Sequence, residues 1–341
     1  MRAVVMTKHG PPEAMQVQER PDPPPPAGEE VTVDVAAVGI NFAEVLARIG
    51  LYPSAPKPPS VLGFDIAGTV RAIGDGVRTL SVGDRVFGMS RYGGYAERTN
   101  TRAGNLARLP DRLTLEQGAA IPSNYSTAWM MLVNYGAIQL TPDARVLVHG
   151  AAGGTGIAAT QIAKRFGAEV WGTASAAKHD AIRELGVDHA IDYRAGGWEE
   201  DLPTFDVVLD PIGGRNWRTS YGLLGPGGRT INYGASAVVR SGRRSPVGFL
   251  KSAAQMPRTN LVKQMFASKC VMGLSMFDLW EDRGSFTPWL DPLLELIEDG
   301  TIAPVVDTRF GFDQAPDAHR RLTDRQNIGK VVLTSGARAS D

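Results

Sequence analysis

A single cysteine, Cys270, stands among 341 residues. By counting alone this excludes a disulfide within the chain and a zinc site built on cysteine pairs, and it predicts a reducing, cytoplasmic compartment. The five histidines, His9, His149, His179, His189 and His319, are scattered singly without ligand spacing. They are expected at the surface or at strand ends, and no metal is expected. No stretch approaches the run of about 20 apolar residues that a membrane-spanning helix needs. The sequence opens on the strand-like run 2–6, without a charged-then-apolar leader. Net charge is zero, from 36 basic and 36 acidic residues, which argues against nucleic acid or any general polyanion as a partner. Acid is also missing locally. None lies between Asp210 and Asp278, where Arg215, Arg218, Arg229, Arg240, Arg243, Arg244, Lys251, Arg258, Lys263 and Lys269 all fall.

What is present is an ordinary globular composition, 43% hydrophobic and 21% charged, with length for two domains. The first third consists of short β-like runs at 2–6, 15–20, 30–38, 67–72 and 85–88, punctuated by Gly and Pro, with a proline-rich turn at 21–26. That is an all-β, barrel-like pattern. From about 123 the pattern changes. Strand 146–149, helix 155–166, strand 169–173, helix 177–185 and strands 189–192, 207–210 and 229–233 read as an α/β, doubly wound parallel sheet. After the strand-like 270–274 come a helix near 288–298 and a last strand, 329–333, whose character suggests a return to the first domain. The domains are therefore expected at 1–122 with 290–341, and at 123–289.

The most specific motif is Val146-Leu147-Val148-His149-Gly150-Ala151-Ala152-Gly153-Gly154-Thr155-Gly156, an apolar strand entering a glycine turn and then a helix. A helix N-terminus offers unpaired N–H groups and a positive dipole end to a pyrophosphate, provided no side chain blocks the approach. The spacing departs from G-x-G-x-x-G at its first position, Ala151, but the β-like run 168–174 after Gly167 completes a βαβ unit. Sites specific for NAD place an acid at the end of that second strand, against the ribose 2′-hydroxyl. Here the residue is Ser175, with Lys178 three positions on. A missing carboxylate and a nearby ammonium predict NADPH, Ser175 donating a hydrogen bond and Lys178 acting as a point charge. For Lys178 a solvated helix position is the plain alternative.

These parts together resemble the medium-chain dehydrogenase/reductase superfamily. The motifs Gly39-Ile40-Asn41-Phe42-Ala43-Glu44, Arg48-Ile49-Gly50-Leu51-Tyr52-Pro53, Gly63-Phe64-Asp65-Ile66-Ala67-Gly68, Gly83-Asp84-Arg85-Val86, Gly172-Thr173-Ala174-Ser175 and Ile328-Gly329-Lys330 narrow the likeness to its zinc-independent quinone oxidoreductase branch. Thr127-Ala128-Trp129-Met130-Met131-Leu132, Lys178-His179-Asp180-Ala181-Ile182, Tyr233-Gly234-Ala235-Ser236 and Ile302-Ala303-Pro304-Val305-Val306-Asp307 resemble the vesicle amine transport protein homologues within it. The resemblance implies a GroES-like β-barrel catalytic domain beside a Rossmann domain. Where zinc alcohol dehydrogenases hold their catalytic metal with Cys and His-Glu, this chain has Ile40 or Asn41 and Phe64-Asp65.

The same resemblance implies Asn41 and Tyr52 as catalytic candidates over the nicotinamide. It gives Thr127 to the ribose or ring, Tyr193 to the 2′-phosphate, Leu274 and Ser275 to the nicotinamide, and Asn327 and Lys330 to phosphate. Ala152, Gly153, Gly154, Thr155, Gly156, Thr173, Gly234 and Ser236 complete the expected cofactor cleft. Asn41 and Thr127 have the alternative of capping helices, and Tyr52 of packing in its turn. The implied activity is hydride transfer from NADPH to a quinone or α,β-unsaturated carbonyl, acceptors electron-poor enough to need no Lewis acid. Enoyl thioester reduction is the nearest rival. A nucleotide-binding protein acting without turnover, on a lipid surface or another protein, is the alternative of another class. The acid-free segment is expected to meet cofactor phosphates, an acidic face of a partner or, weakly, anionic lipid, unless acids from elsewhere in the fold balance it. A homodimer joined edge to edge near Cys270 to Met276 is implied as well.

Overall fold

The computed structural model describes residues 1–238 and 260–336. Arg240, Arg243, Arg244, Lys251 and Arg258 of the basic segment lie outside the described residues. The run 146–148 is apolar on both faces, as a strand covered by helices on either side must be, and all three side chains are fully buried. It forms β9 (Arg145–His149) at the centre of a six-stranded parallel sheet. On one side of it lie β10 (Glu169–Ala174) and β11 (His189–Asp192). On the other lie β12 (Phe205–Asp210), β13 (Leu224–Asn232) and β14 (Cys270–Gly273). The strand order therefore reverses between β9 and β12, and a crevice opens beyond their carboxyl ends, where folds of this kind take ligands.

The remaining strands make the GroES-like lobe. A seven-stranded sheet is built around β3 (Glu30–Gly39), β5 (Asp65–Ile73), β6 (Arg85–Met89), β7 (Arg98–Arg102) and β8 (Leu106–Arg108). A smaller sheet joins β1 (Arg2–Met6), β2 (Met15–Glu19) and β4 (Ser60–Val61). The chain does return here at its end: β15 (Val306–Gly311) and β16 (Lys330–Thr334) complete the large sheet, with Leu333 opposite Val38. Among the elements not foreseen are β15 and the amphipathic helix Ala315–Thr323 behind it. The two lobes meet at Gly329, whose N–H donates to Ala152 O at 2.9 Å. Its φ of +94°, and the 2.4 Å that would separate a Cβ from Val305 O, leave only glycine there.

His319 departs from the expectation of a surface or strand-end position. It sits on the inner face of the helix Ala315–Thr323, fully buried, 3.3 Å from the hydroxyl of Tyr95. Burial, reinforced by the charge of Arg48, holds its pKa down to about 3. His149 is also buried.

Candidate functional site

The crevice is a cleft of about 370 Å³ floored by the glycine turn. Gly150 turns the chain out of β9 at φ +68°. Gly153 then takes the N-cap position of the helix Gly154–Arg165, and no side chain caps it. The first-turn N–H groups thus face the cleft with the positive dipole end behind them, which is what a pyrophosphate requires. A Cβ on Gly156 would lie 2.4 Å from Gly150 O, and one on Gly154 would lie 2.3 Å from Asn124 Nδ2. Those two glycines therefore serve close packing, whereas a Cβ on Gly153 would meet only Gly150 O, at 3.4 Å. The departure at Ala151 is accommodated from β10: Gly172 lies against the Ala151 methyl, and a Cβ there would approach it to 2.8 Å.

At one end of the cleft, β10 delivers Thr173, Ala174 and Ser175 to the lining beside Lys178, Tyr193 and Arg325. The Lys178 ammonium donates to Arg325 O at 2.8 Å and Asn327 O at 2.6 Å, so two carbonyls fix it over the pocket. Burial lowers its pKa, partly offset by Asp307. Asn327 is buried and ties its own loop through Gly329 O. Among the described lining residues are three cations, Lys178, Arg325 and Lys330, and no carboxylate.

At the other end, residues distant in sequence converge. Asp65 is fully buried and accepts four hydrogen bonds, from Ser123 N (3.0 Å), Ser123 Oγ (2.5 Å), Asn41 Nδ2 (3.0 Å) and Lys330 Nζ (2.6 Å). Lys330, 3% exposed, also donates to Asn41 Oδ1 at 2.6 Å. Asn41 occupies the N-cap position of the helix Phe42–Arg48, but its side chain makes no cap bond because Asp65 and Lys330 occupy it. Glu44 reaches back to the Asn41 N–H instead and accepts Phe64 N–H at 3.1 Å. Burial pushes the Glu44 carboxyl up to about 8, against the pull of these two donors. The positions that would correspond to zinc ligands thus hold an amide, a phenyl ring and a carboxylate already paired with an internal ammonium. That donor set does not fit zinc, and no cluster of three or more His, Cys, Asp or Glu suited to a metal occurs among the described residues.

The cleft lining brings together Asn41, Ala152, Gly153, Gly154, Thr155, Gly156, Thr173, Ser175, Lys178, Tyr193, Ser236, Asn327 and Lys330. It does not include Tyr52, Thr127, Gly234, Leu274 or Ser275. Tyr52 packs edge-on against Phe277, with ring centroids 6.3 Å apart, in a cluster with Phe64 and Tyr92. Burial, then the charge of Asp278, raises its pKa. Ser275 caps the helix Met276–Arg283, Leu274 is buried with its N–H on Asn232 O, and Gly234 packs on Pro211. Thr127 sits half-buried on the helix Pro122–Trp129. Sequence reasoning missed Asn124, His149, Trp198, Asn216 and Arg325 in the lining. Of these only His149, directly before the turn, carried a local signal.

Comparison with known proteins agrees with this geometry. Residues 27–111 match the alcohol dehydrogenase GroES-like domain, and residues 185–333 match the family described as zinc-binding dehydrogenase. The synaptic vesicle membrane protein VAT-1 homolog of Danio rerio is 35% identical over 340 residues, 98% of this chain and 70% of that protein. The human VAT-1 homolog is 33% identical over 98% of this chain and 87% of its own length. Among solved structures, the human VAT-1 homolog-like protein superposes with a TM-score of 0.85 at 30% identity, covering 99% of each chain. Escherichia coli quinone oxidoreductase complexed with NADPH gives 0.84 at 31%, covering 98% of this chain and all of that one. The CurK enoyl reductase gives 0.83 at 25%, covering 98% of each.

Proposed function

Because the chain belongs to the medium-chain dehydrogenase/reductase superfamily, close to the VAT-1 homologues, we propose that it is a zinc-independent, NADPH-dependent reductase of quinones or α,β-unsaturated carbonyls. The observation carrying this reading is a cleft floored by the glycine turn, with Lys178 and Arg325 beside Ser175 and no carboxylate among its described lining residues. Its far end is closed by the Lys330–Asp65–Asn41 network. Bound nicotinamide would supply the hydride. The glycine turn would hold the pyrophosphate, and Ser175, Lys178 and Tyr193 the 2′-phosphate.

Charge developing on the acceptor oxygen needs a donor held ready for it. The Asn41 amide has two N–H groups, of which Asp65 takes one, leaving the other for the cleft. Lys330 bonded to its oxygen polarises the amide and makes that N–H a stronger donor. The family resemblance would make Tyr52 the proton source, but it lies outside the cleft lining, packed on Phe277. Ile40, Phe42 and Val331 in the lining reduce access of water.

The direct test is NADPH oxidation with quinones, simple enones, and paired free and thioester enoyl substrates. Turnover is expected with the first two. Turnover confined to thioesters would move the assignment to an enoyl thioester reductase, the reading that the CurK likeness favours. Absence of turnover with all of them would leave a binding protein. No described helix is long and apolar enough to cross a membrane, and a peripheral role would show as salt-sensitive binding to anionic vesicles.

The dimer proposed from β14 has support at its edge. Among the described residues β14 pairs on one side only, with β13, and the adjoining helix Leu261–Ala267 exposes Leu261, Val262, Met265 and Phe266, the last 82% exposed. An open strand edge beside an apolar face fits a second copy related by a two-fold axis. Sedimentation at micromolar concentration should give twice the chain mass, falling to one chain in Phe266→Glu. A monomeric native protein would sink this part.

A further inference from the structure

A buried chain of hydrogen bonds runs beneath the cleft, and no step above uses it. Asp210, at the end of β12, receives Ile212 N–H (2.7 Å) and Gly213 N–H (3.3 Å) from the loop that follows, and Asn216 Nδ2 (2.8 Å) from the next helix. It also takes the Ser220 hydroxyl at 2.6 Å. Ser220 is fully buried, with its oxygen 3.2 Å from His149 Nε2. The other ring nitrogen, Nδ1, is 3.2 Å from Thr173 Oγ1, and Gly150 N–H donates to that same oxygen at 3.2 Å.

Counting protons fixes the Ser220 link and, for a neutral ring, the rest. A Ser220 hydroxyl spent on Asp210 leaves only its lone pairs for His149, so Nε2 carries the hydrogen, and in a ring kept neutral by burial Nδ1 is bare. Nδ1 then accepts the Thr173 hydroxyl, whose oxygen accepts Gly150 N–H. The ring is neutral in this arrangement, consistent with burial lowering its pKa against the pull of Asp210. The chain thus ends on the peptide that opens the glycine turn, and Gly150 O in turn accepts Gly153 N–H at 2.9 Å. Its other end is the carboxylate that shapes the 211–216 loop, which also lines the cleft. Two loops on neighbouring strands are held in register by one imidazole.

We propose that His149, as the neutral Nε2–H tautomer, is a positioning residue that locks the glycine turn to the 211–216 loop and so sets the affinity for the dinucleotide. The affinity part rests on the NADPH reading above; the tautomer part does not. Ser220 is the informative variant, because it is buried and absent from the cleft lining. Any effect of Ser220→Ala on binding must pass through its neighbours.

The experiment combines ¹⁵N NMR of histidine-labelled protein with NADPH titrations of wild type, Ser220→Ala, His149→Leu and the double variant, each checked for a cooperative melt. Expected are an Nε2–H signal for His149 in the wild type, a tautomer mixture in Ser220→Ala, and a roughly tenfold weaker NADPH affinity in each single variant. The double variant should be no weaker than either single one, since a chain broken once is broken. An Nδ1–H or protonated ring at pH 7, unchanged affinity in both single variants, or additive losses would overturn the proposal. Wild-type protein that fails to bind NADPH would instead overturn the functional reading, with the NMR signal still deciding the tautomer.

Discussion

Ser175→Asp should reverse the cofactor preference, weakening NADPH by roughly a hundredfold or more while leaving NADH within a few-fold of its original affinity. Ser175 follows the last residue of β10 and lines the cleft with Lys178, Tyr193 and Arg325. A carboxylate there would face the 2′-phosphate at contact range. At an effective dielectric of about 20, two unit charges about 4 Å apart interact by about 4 kcal/mol. Lys178 and Arg325 would offset part of that repulsion, leaving about 3 kcal/mol, or roughly two powers of ten in Kd. NADH carries a hydroxyl at that position, for which a carboxylate is a good acceptor. Isothermal titration of both cofactors against both proteins measures the ratio directly. A mutant that keeps the native NADPH affinity would show that the phosphate lies elsewhere, and the cation-lined end of the cleft would lose its meaning.

The parts of this molecule that could be read in advance are those written locally. An apolar run entering a glycine turn specifies β9 and the helix after it, because strand burial, the tight turn and helix initiation are all decided within about ten residues. The absence of an acid at position 175 is likewise a fact about one residue in a known register. The return of the last strand to the first lobe was legible from the apolar run ending in Leu333, whereas β15 was not, since its residues are only partly buried and show no clear alternation. The Asn41 end of the cleft was half legible. Asn41 could be named, but the partners that define its chemistry, Asp65, Ser123 and Lys330, lie 24, 82 and 289 positions away, and only the packing of β3, β5 and β16 brings them together. His149 stands at a strand end, as expected, but its partners were illegible for a related reason: a lone histidine there carries no sign of what the neighbouring strands will place against its ring.

Lys330→Met should cost more stability than any other single change at the site, and the companion variant Asp65→Asn/Lys330→Met should recover most of it without recovering activity. Asp65 is fully buried and Lys330 nearly so. Removing the ammonium leaves a carboxylate without its counter-charge, a loss of about 3–5 kcal/mol, which denaturant unfolding would register as a much lower midpoint. Changing Asp65 to an amide removes the stranded charge and keeps an acceptor for Ser123, so the double variant should fold with near-native stability. The catalytic consequence is separate. If the ammonium polarises Asn41 toward the developing oxyanion, its loss should lower kcat by roughly a hundredfold in the double variant, the scale seen when one preorganised donor is withdrawn. NADPH affinity should change little, because the Lys330 ammonium pairs with Asp65 and Asn41 and not with the glycine turn. A fall in NADPH affinity without a fall in kcat would return Lys330 to the phosphate role that the sequence resemblance gives it. A double variant with native turnover would reduce the buried ion pair to scaffolding, and the Lys330 ammonium would then have no part in the chemistry.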